Sequence, residues 1–129
     1  MIEFSLDARS GVSPYLQVVQ QVRQALRLGL LSEGDQLPTV KDVVAHLAIN
    51  PNTVLKAYRE LEHEGLVAAR PGVGTFVTRS LVDVSLPALE PLRRDLQRWL
   101  TKARLAGLDA EGIEALFVDT FRRSQRDVA

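Results

Sequence analysis

Asn52, Thr53 and Lys56 are spaced to project from the first two turns of one short helix, and each carries a group that can meet a nucleobase edge. An Asn amide pairs bidentately with adenine, a Lys ammonium reaches guanine O6 or N7, and a Thr methyl packs on the methyl of thymine. The competing reading of such a polar first turn is ordinary helix capping, which weighs most on Thr53; Asn50 is the cap itself. Leu55 is divided between core packing and a thymine-methyl contact. Lys41 opens a preceding helix, where free N–H groups and the positive dipole end suit a phosphate, and the backbone of Thr39 and Val40 offers the same. The alternative for Lys41 is a solvated surface position. Tyr58 and Arg59 are both placed to reach backbone phosphates, but Tyr58 falls on the apolar stripe, and core is the reading preferred for it. Farther on, Arg70 flanks Gly72 and Gly74, with Thr75 following. The two glycines permit positive φ, and so a tight hairpin tip that can approach a sugar–phosphate wall closely.

Such groups need elements that hold them at one surface. Ile2, Phe4 and Leu6 alternate with polar residues, as an extended arm or edge strand does. Ser13-Pro14 reads as a helix start, and Tyr15, Val18, Val19, Val22, Leu26 and Leu30 give one apolar face that ends near Gly29. A second helix begins after Thr39, which can cap it with Asp42 three residues on, and buries Val43, Val44 and Leu47. Ala48-Ile49 is the turn. Asn50 caps a third helix with Pro51 in its first position; Val54, Ala57, Tyr58 and Leu61 form its core face, and it stops at Gly65. Strands over 66–69 and 75–78 then pair around Arg70-Pro71-Gly72-Val73-Gly74. Two short helices, a tight turn and a Gly-bounded hairpin spell a winged helix-turn-helix, which docks one helix in a DNA major groove with the wing beside it. The glycines of the hairpin are no nucleotide loop, since no strand leads through them into a helix.

The 129 residues carry 16 basic and 16 acidic side chains, so the formal net charge is zero. A DNA binder draws most of its affinity from phosphate neutralisation, and a neutral chain also suits a winged helix used as a protein–protein interaction module without DNA binding. The distribution is less even. Between Thr39 and Arg59, Asp42 stands against Lys41, Lys56 and Arg59, and from Gly65 to Ser80 there are only Arg70 and Arg79; the acids gather at Glu33, Asp35, Glu60, Glu62 and Glu64. Cysteine is absent, which excludes disulfides and Cys-ligated zinc. His46 and His63 are far apart and lack acidic partners at ligand spacing, so no metal site and no cofactor is expected. No paired carboxylates, nucleophile elbow or phosphate loop occurs, and catalysis has no candidate residues. The N-terminal MIEFSLDARSG lacks the basic and apolar regions of a secretory signal, and no apolar run is long enough for a membrane span. A cytoplasmic protein with no membrane partner is the expectation.

LPTVKDVVAHL, NTVLKAYRELEHEGL and GVGTFV, within residues 37–77, resemble the DNA-binding domain of the GntR family of bacterial transcription regulators. The INPNTVLKAYRELE wording and a tail of about 50 residues are similar to the YtrA branch in particular. The resemblance implies a homodimeric regulator, with two short C-terminal helices for dimerisation in place of a larger effector domain. It further implies repression of a neighbouring operon, often one for a transporter. Two departures bear on the site. Lys41 stands where Arg is common, which replaces a planar fork by a point charge. Pro51 and Leu55 occupy positions where other branches use Arg, so their base-reading pattern does not transfer.

The tail is consistent with that implication. Residues 80–91, with Pro87 and Pro91, read as a linker entering a fourth helix, where Leu89, Leu92, Leu96, Trp99 and Ala103 recur at spacings of three and four, a coiled-coil-like seam. Asp109 caps a last helix whose apolar face is Ile113, Leu116, Phe117 and Phe121. Two such faces do not bury each other fully within one chain, so a two-fold partner is expected. Trp99 and Phe117 as a pocket for a small-molecule effector is the alternative, for which one protomer leaves little room. Arg94, Arg98 and Lys102 share a face and either pair with Glu111, Glu114 or Asp119 or form a solvated surface, the simpler reading. The expected architecture is mainly α with a small β-wing: a winged helix-turn-helix DNA-binding domain over 1–79, with the N-terminal arm, and a two-helix dimerisation tail over 80–129. Double-stranded DNA in a palindrome, read with half-sites about one helical turn apart, is the expected partner.

Overall fold

A computed structural model of the chain describes residues 2–82 and 84–128. The elements in order are α1 (Pro14–Arg27), α2 (Val40–Leu47), α3 (Pro51–His63), β1 (Val67–Arg70), β2 (Gly74–Val77), α4 (Leu86–Leu105) and α5 (Ala110–Val128). They fall into two compact units, Met1–Leu86 and Pro87–Ala129.

In the first unit α1 and α3 pack face to face. Val18, Val19, Val22 and Leu26 of α1 and Val54, Ala57 and Leu61 of α3 are fully buried, with Val43, Leu66, Val67 and Val77 closing the core. Repeats of three and four produce those stripes, as the 3.6-residue helical turn requires. The arm is extended and forms no strand. Phe4 is buried, and the Gln21 amide acts as its pairing partner, with Nε2 donating to Ser5 O at 2.6 Å and Oε1 accepting from Ser5 N at 3.0 Å. Ser13 holds the N-cap position of α1, but its side chain makes no capping bond. Gln17 organises this loop instead, its amide donating to Val12 O and Asp7 O and accepting from Asp7 N.

The structure corrects the far end of α1. The helix stops at Arg27, and Leu30 N donates back to Ala25 O at 2.8 Å across Gly29 at φ 72°, a Schellman closure. That reversal breaks the helical period, so Leu30 is 65% exposed and Leu31, at 2%, takes the core position.

Thr39 Oγ1 accepts from Asp42 N at 3.1 Å to cap α2, and Asn50 Oδ1 accepts from Asn52 N at 2.8 Å to cap α3. Between them Ala48 takes the left-handed conformation at φ 55°. The wing pairs antiparallel in the register Val67↔Val77, Ala68↔Phe76, Ala69↔Thr75 and Arg70↔Gly74. The ladder thus runs to Arg70 and Gly74, and the tip is Pro71-Gly72-Val73, closed by Val73 N to Arg70 O at 2.9 Å. Leu66 lies at the junction: its N–H finishes α3, donating to Leu61 O, and its carbonyl accepts from Thr78 N at 2.9 Å, one bond beyond β1 and β2. Residues 34–37 line the other edge of β2, with Leu37 N donating to Thr75 O and Val77 N to Asp35 O, both at 2.8 Å.

In the second unit α4 begins within the expected linker. Pro87 sits in the first helical turn, where the N–H has no intrahelical partner to lose, and Pro91 is carried one turn farther in. Leu108 N closes on Ala103 O at 3.1 Å, and Asp109 Oδ1 accepts from Gly112 N at 2.8 Å to start α5. Arg98 pairs with Asp95 and Asp119 with Arg123, each within its own exposed helix rather than across the unit. No helix among the described residues is long and apolar enough to cross a membrane.

Candidate nucleic-acid interface

The buried stripe of α3 is Val54, Ala57, Tyr58 and Leu61, and at 100° per residue the opposite face carries Asn52, Lys56, Arg59 and His63, all exposed. Thr53 and Leu55 flank that ridge, half-buried. Thr39 and Lys41 are exposed at the start of α2, with Val40 half-buried. A shallow hollow of about 260 Å³ joins these parts, lined by Val40 of α2, Leu55, Arg59 and Glu62 of α3, and Ala69 and Thr75 of the wing. The start of α2, the outer face of α3 and the wing therefore share one surface.

Tyr58 is what sets α2 against α3. It is buried, and its hydroxyl donates to Pro38 O at 2.6 Å, one residue before the α2 cap. Burial, and then the charge of Asp42, hold the phenol neutral well above the ordinary tyrosine range. Tyr58 is thus a structural residue and unavailable to a phosphate.

Two of the cations on the surface, Lys56 and Arg70, rest on aromatic rings. Lys56 Nζ lies 3.9 Å from the centroid of Tyr15, and the Arg70 guanidinium lies 4.5 Å from that of Phe76. Gly72 turns the exposed tip at φ 77°. Gly74 opens β2 at φ 146°, a conformation that favours glycine, and a Cβ there would displace the Gln36 amide, whose Nε2 would stand 2.4 Å away. Two nearby acids tie elements together. Glu62 Oε2 accepts from Ala69 N at 2.8 Å, tying α3 to β1, and Arg23 Nε donates to Glu64 Oε1 at 3.1 Å, tying α1 to α3.

Tyr15, Phe76, Gln36 and Glu62 escape a reading of local periodicity. Lys56 and Tyr15 are 41 positions apart, and only the packing of α1 on α3 joins them. Arg70 on Phe76 could have been found from hairpin register, since the partner of Arg70 is Gly74 and a residue two farther along shares its face.

In the second unit Leu96, Trp99 and Phe117 line two adjoining apolar hollows, of about 510 and 400 Å³, between α4 and α5. Of the expected seam only Ala103 is buried; Leu89, Trp99 and Ile113 are half-buried. Leu92 at 63%, Leu96, Leu116, Phe117 at 48% and Phe121 are exposed, and the Phe117 and Phe121 rings stack 6.0 Å apart.

The sequence pattern of bacterial regulatory proteins of the gntR family matches residues 14–77, α1 to the end of the wing. The transcriptional repressor YtrA of Bacillus subtilis is 32% identical over 107 residues, 82% of each chain. A transcriptional regulator from Oenococcus oeni is 34% identical, with 92% of this chain and 99% of that one superposed at a TM-score of 0.51. YtrA of Sulfolobus acidocaldarius, a GntR-family transcription factor, is 26% identical over 76% of this chain and 97% of its own, at a TM-score of 0.55. With the first unit matched by the family pattern and 82% of the chain aligned to a YtrA repressor, the chain belongs to the GntR family and is similar to its YtrA members: it is a transcriptional regulator with a DNA-binding domain, and not an enzyme.

Proposed function

We propose that the chain is a cytoplasmic repressor that binds a palindromic operator as a homodimer and controls a neighbouring operon, with transporter genes the class its YtrA resemblance favours. The observation that carries this reading is the exposed Asn52–Lys56–Arg59 ridge, opposite the buried stripe of α3 and beside the wing and the start of α2. In it, α3 enters the major groove, where Asn52 and Lys56 read base edges and Thr53 lies alongside. Asn50, Thr39, Val40 and Lys41 face phosphates at two helix N-termini, and Arg59 meets the same backbone. Arg70, Gly72, Gly74 and Thr75 bring the wing against the adjacent groove. Residues 1–79 are the DNA-binding part and 80–129 the dimerisation part. The exposed Leu92, Leu96, Leu116, Phe117 and Phe121 support the latter, since an apolar face of this extent on two helices is covered in water by a like face.

The test is fluorescence anisotropy of a duplex from the region upstream of the protein's own gene, with a scrambled duplex beside it, at two salt concentrations. The expected result is binding at least ~10³-fold tighter to the first, with two protomers per duplex. Equal binding to both duplexes across the whole upstream region would refute sequence-specific repression at that locus.

A further inference from the structure

Lys56 does not extend freely from α3. Its ammonium sits over the Tyr15 ring at 3.9 Å from the centroid, although Lys56 itself is exposed. Tyr15 stands in the first turn of α1 and is packed in part against the core, so the ring is a fixed platform. A lysine stem is flexible and its ammonium is a point charge without the directional fork of arginine. Whatever restricts the stem before binding reduces the ordering cost of binding and limits the directions from which the ammonium can meet a base. A ring face attracts a cation electrostatically and does so without consuming its N–H donors in conventional hydrogen bonds.

We propose that Tyr15 is a positioning residue for sequence discrimination: its ring holds Lys56 on the outer face of α3, so that the ammonium is presented to one base step. This rests on the reading of Lys56 as a base contact. The ring carries no charge, so its contribution falls on the choice among sequences and not on general attraction to phosphate.

The experiment is a double-mutant cycle in the full chain, with operator and scrambled duplexes measured by anisotropy for wild type, Tyr15→Leu, Tyr15→Phe, Lys56→Ala and Tyr15→Leu/Lys56→Ala. The expected outcome for Tyr15→Leu is a loss of operator-over-scrambled preference of about two- to fivefold, with unchanged affinity and salt slope on scrambled DNA. Tyr15→Phe keeps the ring and should keep the preference. In the Lys56→Ala background, Tyr15→Leu should change the preference no further. NMR of the free protein supplies a readout independent of DNA: the Lys56 ε-methylene protons should be shifted upfield by the ring current and return to ordinary values in Tyr15→Leu. If Lys56→Ala lowers the preference and Tyr15→Leu does not, the proposal is overturned while the role of Lys56 stands. If Lys56→Ala leaves the preference unchanged, the reading of Lys56 fails and this inference fails with it. An equal effect of Tyr15→Leu in both backgrounds would assign the ring to the fold alone, and tighter operator binding by Tyr15→Leu would make it a competitor; each overturns the proposal. Absence of the upfield shift in the wild type does so even if Tyr15→Leu fails to fold.

Discussion

Replacing Tyr58 by Phe removes one buried oxygen and leaves the ring in place, which makes it the sharpest test of how α2 is held. The hydroxyl donates to Pro38 O at 2.6 Å in a site where the side chain is only 6% exposed. Without it the Pro38 carbonyl loses its donor where water has little access, at a cost of about 1–3 kcal/mol, more than the net worth of an ordinary hydrogen bond. For a unit of the size of Met1–Leu86, each kcal/mol lowers the midpoint by roughly 4–8 °C. The variant should therefore melt at least about 4 °C below wild type. Methyl NMR signals of Val18, Val22 and Val54 are the proper probes, because these residues lie in the core of the first unit, whereas Trp99 reports the second. The pH dependence has a definite sign. The folded phenol ionises above the unfolded value of about 10, because burial and then Asp42 disfavour its charged form. Its contribution is complete below about pH 10 and is lost as pH rises past that point. The stability gap between wild type and Tyr58→Phe should accordingly narrow above pH 10. A midpoint within about 1 °C of wild type at neutral pH, or a gap that widens in alkali, would show that the Tyr58 hydroxyl does not hold α2.

Ala48→Gly should stabilise the first unit by about 0.5–1 kcal/mol, since relief of the left-handed strain at φ 55° exceeds the added chain entropy; urea midpoints measure it. Lys41→Ala should weaken binding to operator and scrambled DNA alike and reduce the slope of log K against log salt by about one unit, as a lost phosphate contact does. Phe117→Asp places a charge on the exposed apolar face of α5 and should convert the proposed dimer to a monomer in analytical ultracentrifugation, with operator affinity falling in parallel. An unchanged sedimentation coefficient would remove α5 from the interface.

Much of the first unit was legible because it is built from local rules. Thr39 and Asn50 are caps by composition and caps in space, and Val54, Ala57, Tyr58 and Leu61 are a core stripe by spacing alone. The misreadings lie where local rules compete. Leu30 fits the period of α1, yet Gly29 reverses the chain and hands its core place to Leu31. Pro87 and Pro91 argued for a linker, yet α4 begins at Leu86: Pro87 falls in the first turn, where no bond is lost, and Pro91, inside the helix, removes one. Ser13 holds the cap position without its side-chain bond, because the Gln17 amide meets the needs of the preceding loop.

Hydrogen-bonding reach and helical period act over three or four residues, so the caps and core stripes of α2 and α3, and the outer face shared by Asn52, Lys56 and Arg59, follow from local spacing. The sequence also carried the family, in motifs spread over residues 37–77. How those groups are held depends on long-range packing. Tyr15 lies under Lys56, Tyr58 bonds Pro38, Arg23 engages Glu64, and Gln36 closes on the wing. Each of these joins residues 20 to 41 positions apart, so each exists only once α1, α3 and the hairpin have packed, and no local spacing encodes it.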